Sequence, residues 1–529
     1  MRKYTTNGVV VPSGSPEAPT LDIPAFGGRL DVCWDPNAEV TQWGGLCYLS
    51  AFLNVAGLLD RLVEDAPFVY TSNNSPGMRN LVGTIVLSIL CGFTRYLHIE
   101  RLRNDTACAK LLGMTKIVSE TCVRRALKEH VDEAALEAWL LKHERETTGA
   151  LLKFPYVLDI DNTVKPIYGH QEGAEVGYNP QKPGRPSHNF HSYFIGVARI
   201  ALGVDVQPGK RHSGGCGMTG LWTFLESLPQ GERPKFLRGD VGYGTEAIMC
   251  DAESLKQLYL LKIKRTWGVR SLFKQYENSN RWKDCGCGWQ AIDTVIQLQG
   301  CSKPRRCILL RRPSKDADKP EIEMRPKRRG RPMKNALVPV QQEFDFIKGK
   351  SGRLWDTCAL VTNDTEFDAT ALSQLYRDRG DCENNFDEYK NQWGWGGFVT
   401  SDLAPCRAMA RLIAIVANWW NVFCRLADPD KHLEPITSRP KLMNIVGRII
   451  TSGRRKMIRL TSSHAEFREI QGELAKIGEF MKRISSTARQ LEFYRVWELI
   501  LRVAFRKFLS RGSLTPTAIA ALNPIPLPA

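Results

Sequence analysis

No apolar run in this 529-residue sequence is long enough to cross a bilayer. The strongest candidate, "VGTIVLSILCGF" (82–93), is about a dozen residues, well short of a span. "RLIAIVANWWNVFCRLA" (411–427) carries Arg411, Asn418, Asn421 and Arg425 and reads as a core helix. No secretory leader is visible, because the first apolar stretch, "GVVVP", is short and has polar flanks. Internal repeats are absent. Acidic charge is in short supply: 56 Asp and Glu face 73 Lys and Arg, a net of +17. That excess suits a polyanionic partner, nucleic acid before a membrane surface, and no membrane partner is expected. The 15 cysteines are scattered, as expected of reduced thiols in a cytoplasmic chain. Hydrophobic content of 43% and charged content of 24% are ordinary for a globular protein of several domains.

What is present is organised. Residues 1–42 are rich in Gly, Pro and Thr without periodicity and read as an extended arm. Residues 43–150 read as helical. Within them, "DTACAKLLGMTKIVSETCVRRALKEH" (105–130) gives a short helix, a turn through Gly113 and a second helix capped by Ser119 or Thr115. The segment is either a helix-turn-helix reading DNA through Glu120, Arg124 and Arg125 or an ordinary helical hairpin. From 151 to 265 the order is strand, strand, strand, helix, strand, helix, strand, which is an α/β pattern. Residues 266–350 interrupt it with β-like runs and a basic linker. Residues 351–430 add a strand and two helices, and 431–529 read as helical, with a long amphipathic segment from about 463 to 510 suited to dimerisation.

The acids sit at the ends of elements. Asp159 and Asp161 are two apart on one strand and share a face. Asp240 ends another strand before a glycine-rich loop, and Glu383 lies on a later helix. Packing of that helix across neighbouring strands would bring three carboxylates together. Such a cluster needs protons or cations to offset its charge, and carboxylate oxygens suit Mg²⁺. Two such ions serve phosphodiester chemistry, which fits a basic, nucleic-acid-binding chain.

The stretch "YRDRGDCENNFDEYK" (376–390) spaces Tyr376, Arg379, Glu383 and Lys390 so that, on one continuous helix, all four fall within an arc of roughly 60°. Leu375, Cys382, Phe386 and Tyr389 form an apolar face beside them. This stretch resembles the Y-(2)-R-(3)-E-(6)-K signature of the DDE transposases of bacterial insertion sequences. "LDIDNT…YGHQEGAEVGYNP" and "FLRGDVGYG" are similar to the segments around that family's first and second aspartates, so the resemblance covers about 155–400. It implies an RNase H-like catalytic core (151–265 and 351–430) interrupted by a β-rich insertion (266–350), with helical regions on both sides. It implies Asp161, Asp240 and Glu383 as the catalytic, metal-binding triad, holding two Mg²⁺ ions for which Mn²⁺ substitutes. Asp159 is the alternative first acid. It implies DNA phosphate contacts by Tyr376, Arg379 and Lys390. The implied activity is cut-and-paste transposition: water attacks at the transposon end, and the freed 3′-hydroxyl attacks target DNA. The implied partners are the terminal inverted repeats, target DNA and a second copy of the chain in a synaptic dimer, in a bacterial, nucleoid-associated setting. A catalytically inactive DNA-binding derivative, or an RNase H-like nuclease without strand transfer, are the alternatives. Some relatives form a DNA hairpin and hold a flipped base against a Trp, for which Trp267 and Trp289 are candidates.

Three further signals stand apart from that resemblance. Cys285, Cys287, Cys301 and Cys307 are either a zinc site or free thiols. "RRGRP" (328–332) looks like the core of an AT-hook, placing Arg329 and Arg331 in a DNA minor groove, or else a solvated basic linker. His188 and His191, three apart on a strand, face opposite sides and do not share a ligand.

Overall fold

The computed structural model describes residues 21–26, 28–32, 35, 37–179, 182–211, 219–298, 300–314, 355–488 and 491–516. The segment expected to be an extended arm carries a hairpin, β1 (Leu21–Ala25) and β2 (Gly28–Val32), and a short strand, β3 (Val40–Thr41). Six helices follow: α1 (Leu46–Val55), α2 (Leu58–Glu64), α3 (Met78–Leu90), α4 (Thr106–Leu111), α5 (Glu120–Glu129) and α6 (Glu133–Thr148). Side-chain caps set several of their starts: Asp105, Ser119 and Asp132 each accept a backbone N–H three residues on.

The next stretch follows the expected order. It contains β4 (Val157–Pro166), a two-residue β5 (Glu175–Val176), β6 (Pro186–Ile195), β7 (Ile200–Pro208), α7 (Thr219–Glu226), β8 (Phe236–Gly239), α8 (Glu246–Ser254) and β9 (Tyr259–Lys262). β6 lies antiparallel between β4 and β7, whereas β4, β8 and β9 run parallel. The parallel pairs need crossovers, which α7 and α8 supply.

Residues 266–314 do not form a sheet of their own. After α9 (Trp267–Gln275) come β10 (Lys283–Asp284), β11 (Gln290–Ile296) and β12 (Arg305–Pro313), and these join the central sheet through β13 (Trp355–Thr362), which pairs with β9. The sheet order is β10-β11-β12-β13-β9-β8-β4-β6-β5, with β7 also on β6.

Alternation along the central strands divides the core. Leu158, Ile160, Leu237, Leu261 and Leu309 pack into the main core, while Val157, Phe236, Leu260, Ile308 and Leu310 pack into a second, smaller one. The second core is closed by Leu372 and Leu375 of α10 (Ala369–Arg377). Period two places Asp159, Asp161 and Arg238 on this α10 side.

The main core centres on α12 (Leu403–Ala427), which is buried over almost its whole length. Its polar residues are held by specific partners. Asn418 exchanges two hydrogen bonds with the Ala201 backbone, at 2.7 and 2.9 Å, as a neighbouring strand would. Arg411 clasps Glu144 of α6 at 2.8 and 2.6 Å. Among the described residues no single helix is long and apolar enough to cross a membrane, although the pair α1–α2, bent by 68°, passes that test when taken together.

The C-terminal region is not all helix. α13 (Pro435–Leu442) is followed by a hairpin, β14 (Gly447–Ser452) and β15 (Arg455–Leu460), and β14 also pairs with β3. The expected long amphipathic segment is divided into α14 (Phe467–Ala488) and α15 (Phe493–Ala504), before a last turn, α16 (Arg506–Leu509).

Candidate active site

Asp159 and Asp161 differ in what each carboxylate touches. Asp159 is buried and held by Arg238 of the adjacent strand, Nε to Oδ1 at 2.5 Å and Nη2 to Oδ2 at 2.8 Å. Both of its oxygens are engaged, so it ties β4 to β8. The third arm of Arg238 donates to the Leu375 carbonyl and ties α10 to the same point. Asp161, two residues on, is only half-buried. Its Oδ1 accepts the Asn162 N–H at 2.7 Å, and its Oδ2 accepts from the Arg379 guanidinium.

Asp240 comes level with Asp161. The last paired couple of β4 and β8 is Ile160 with Gly239, so Asp161 and Asp240 stand one residue beyond it on neighbouring chains. Parallel strands lie about 4.8 Å apart. Two carboxylates at that spacing repel by about 3–4 kcal/mol at an effective dielectric near 20. Arg379 offsets part of this.

The loop after β8 explains its own glycines. A Cβ on Gly239 would come within 2.9 Å of the Tyr243 Cβ, and one on Gly244 within 2.2 Å of the Lys262 carbonyl oxygen. The loop therefore lies against β9, and the Asp240 Oδ1 accepts the Gly242 N–H at 2.9 Å. Tyr243 is buried beneath the acids. Burial first, then the Asp161 and Asp240 charges among its neighbours, push its hydroxyl well above the usual phenol range, with Arg379 opposing.

The signature stretch is not one helix. α10 ends at Arg377, where the Arg379 N–H reaches back only three residues to the Tyr376 carbonyl at 3.1 Å. Gly380, a weak helix former, then begins α11 (Gly380–Asp387). A π-helical turn, Glu388–Gln392, follows, in which the Trp393 N–H bonds the Glu388 carbonyl five residues back. The continuous 100° stripe is thus broken at 378–379 and again at 388.

Two of its members, Arg379 and Lys390, still reach β4, in the middle of the sheet. Arg379 is buried and pairs with Asp161. The Lys390 Nζ reaches the Val164 carbonyl of β4 at 3.4 Å, and burial lowers its pKa, with Asp387 acting against that. Tyr376 is half-buried, and its hydroxyl is raised chiefly by burial, with the Arg379 charge acting against that and Asp240 adding to it. Glu383 lies on α11, which packs against β4, but its side chain falls outside the described residues. The apolar face divides where the helix breaks: Leu375 packs in the smaller core, whereas Phe386 meets Phe194 edge-on at 5.4 Å in the larger one.

The remaining sequence candidates lie elsewhere. Arg124 and Arg125 are exposed on α5 and pair along their own helix, with Glu120 at 2.7 Å and Glu129 at 3.0 Å. Residues 112–119 separate α4 from α5, longer than the three- or four-residue turn of a helix-turn-helix. Met114, Ile117 and Val118 within that connection are buried, so it is part of the core. Arg329 and Arg331 lie outside the described residues.

Trp267 stands 83% exposed at the start of α9, while Trp289 is half-buried with Arg312 at 4.8 Å over its ring. The four cysteines do not gather: Cys285 packs in the smaller core and Cys307 in the larger, on opposite sides of the sheet. Among the described residues no three His, Cys, Asp or Glu side chains form a metal-holding group. Glu383, the expected third member beside Asp161 and Asp240, is not among those side chains.

Arg238 and Tyr243 are the residues that the sequence did not single out. Arg238 immediately precedes "GD" within a strand, and a charged residue at the centre of an apolar strand is a signal for a buried partner.

A family model described as the transposase DDE domain matches residues 152–419, just over half of the chain. No curated protein sequence matches it. Among solved structures the chain is similar to a piggyBac transposase in a synaptic complex with hairpin DNA, seen by cryo-electron microscopy. The identity is 9%, the TM-score 0.34, and the alignment covers 88% of this chain and 85% of that one.

Proposed function

The chain belongs to the transposase DDE-domain family, and on that premise we propose that it cleaves DNA at transposon ends and joins the freed ends to target DNA. The observation that carries the proposal is the pair Asp161 and Asp240, level on adjacent strands and met by Arg379 from the helical segment that bears Glu383. The strand order β7-β6-β4-β8-β9, antiparallel as far as β4 and parallel beyond it, supports an RNase H-like core. The Tyr376, Arg379, Glu383 and Lys390 spacing supports the YREK group of insertion-sequence transposases.

The donor set fits a hard divalent cation. Asp161 and Asp240 offer carboxylate oxygens side by side, and Glu383 is the third acid in sequence. These three would hold two Mg²⁺ ions, or Mn²⁺, which when bound activate an attacking oxygen and stabilise a leaving one.

The chain's own groups do the rest. The Asn162 N–H orients Asp161, and the Gly242 N–H orients Asp240. The Arg379 guanidinium offsets the repulsion between the acids. Lys390, which reaches β4, and Tyr376 hold the DNA backbone against them. Two ends must be brought together for joining, so the working form is a synaptic homodimer on terminal inverted repeats. The net charge of +17 supports a nucleoid-associated, cytoplasmic protein.

The test is a donor plasmid carrying the gene's native flanking DNA, incubated with purified protein and Mg²⁺. Wild type should cleave at the ends and yield joined products, whereas Asp161→Asn, Asp240→Asn and Glu383→Gln should bind DNA without cutting it. Cleavage without joined product would point to a nuclease. Binding without cleavage by wild type would point to an inactive derivative.

A further inference from the structure

The hairpin β14–β15 has no acidic residue, yet carries Arg448, Arg454, Arg455, Lys456 and Arg459. All five are exposed, and none pairs with a carboxylate among the described residues. The register sets their directions. Gly447, Ile449, Ile458 and Leu460 share the face turned toward the body and are buried or half-buried. The opposite face presents Arg448, Arg455 and Arg459 with Met457, which is 55% exposed.

Arg448 sits directly across from Arg459. Like charges in that position destabilise a ribbon by a few tenths of a kcal/mol or more, in roughly the range given for cross-strand pairs. Among the described residues no acid from an adjoining element pairs with them. Glu39, at the base of the hairpin beside β3, is engaged by Lys110, and Glu466 by Lys441 at 2.5 Å.

The tip is tight. Gly453, at φ 59°, takes the first position of a two-residue loop, and Arg454 takes the second. A six-residue ribbon is about 20 Å long, and a two-stranded ribbon fits the major groove of duplex DNA, about 12 Å wide.

We propose that β14–β15 is a second DNA-binding surface, separate from the acidic site, which lays its outward basic face on the phosphates of a duplex. It rests on the transposase reading only for the identity of the polyanion. The ribbon adds affinity and salt dependence, and takes no part in bond breaking.

The experiment measures binding of the full chain to a labelled DNA duplex by fluorescence anisotropy over a range of salt. The variant Arg448→Gln/Arg454→Gln/Arg455→Gln/Lys456→Gln/Arg459→Gln should bind roughly tenfold or more weakly. Its slope of log affinity against log salt should be shallower by about 0.9 for each phosphate that the ribbon no longer neutralises. An Arg448→Lys/Arg459→Lys variant keeps the charge and should keep the slope, which separates charge from folding. Wild-type affinity and slope in the five-fold variant would overturn the ribbon while leaving the transposase reading intact. Failure of wild type to bind duplex would overturn both. Unchanged duplex binding with lost binding to phosphatidylserine vesicles would assign the ribbon to a membrane surface and equally overturn it.

Discussion

Arg238 and Asp159 form a buried, two-point ion pair between neighbouring parallel strands, at 2.5 and 2.8 Å, with both side chains about 1% exposed. Asp161, two residues on, is the less buried acid of that strand and meets Arg379 instead. The buried pair also fixes the height of β8 against β4, and hence the level at which Asp240 leaves the sheet.

Removing one partner of such a pair strands a charge in a dry interior. Asp159→Ala should therefore cost roughly 3–5 kcal/mol of stability. Asp161→Asn, at a position where the side chain is 15% exposed and the amide oxygen can still accept a hydrogen bond, should cost less, about 1–2 kcal/mol. The midpoint of urea denaturation measures both, and equal midpoints would remove the structural role given to Asp159.

Arg379 touches Asp161, so its charge matters most where the two acids approach each other. Arg379→Gln should slow end cleavage by roughly a hundredfold, the scale of losing one preorganised donor. Duplex affinity should change far less, because many other cations contribute to it. A variant that cleaves at the wild-type rate would place Arg379 outside the reaction.

Lys165 gives a pH signature. Burial pushes its ammonium down to about 8, with Cys406 acting the other way, and its Nζ donates to the Gly397 carbonyl. Between about pH 8 and roughly 10.4 the unfolded chain holds a proton that the folded chain has released. Stability therefore rises with pH across that window, by about 3 kcal/mol at the top of it, and is flat below. Buried tyrosines and thiols pull the opposite way, so the comparison is between wild type and Lys165→Met. The wild-type curve should climb relative to the variant from pH 8 upward, and parallel curves would contradict the assignment.

Trp267 is too exposed to hold the fold together. Trp267→Ala should leave the denaturation midpoint unchanged. If the ring stacks on a displaced base, worth about 1–3 kcal/mol, strand transfer should fall roughly 5- to 150-fold. Single-turnover assays on pre-nicked ends would show it, and an unchanged rate would free Trp267 of that role.

The alternation of apolar residues, the order of strands through 265 and the cap at Ser119 were legible because each depends on neighbours within a few positions. The hairpin at 447–460 was less legible, since only its first strand, with Ile449, Ile450 and Thr451, is rich in β-branched residues, and its arginines read as part of a basic helical region. The break at 378–379 was less so. An angular count assumes a regular helix, and only the requirement that Leu375 enter one core while Phe386 enters another decides where that helix must turn.

The sequence by itself determined which residue types stand where and in what order: aspartates on or just after successive strands, a glutamate on a later helical segment, and basic and aromatic residues spaced around it. Local patterning suffices for that, since strand and helix periods reach only a few residues. Three-dimensional packing decided that Asp159 is locked to Arg238 while Asp161 is met by Arg379. It also extended the central sheet with β10–β12 and left the basic face of β14–β15 turned outward. Each of these depends on a partner far away in the chain, Arg238 for Asp159, β13 and β9 for β12, and β3 for β14, and no local period encodes a distant partner.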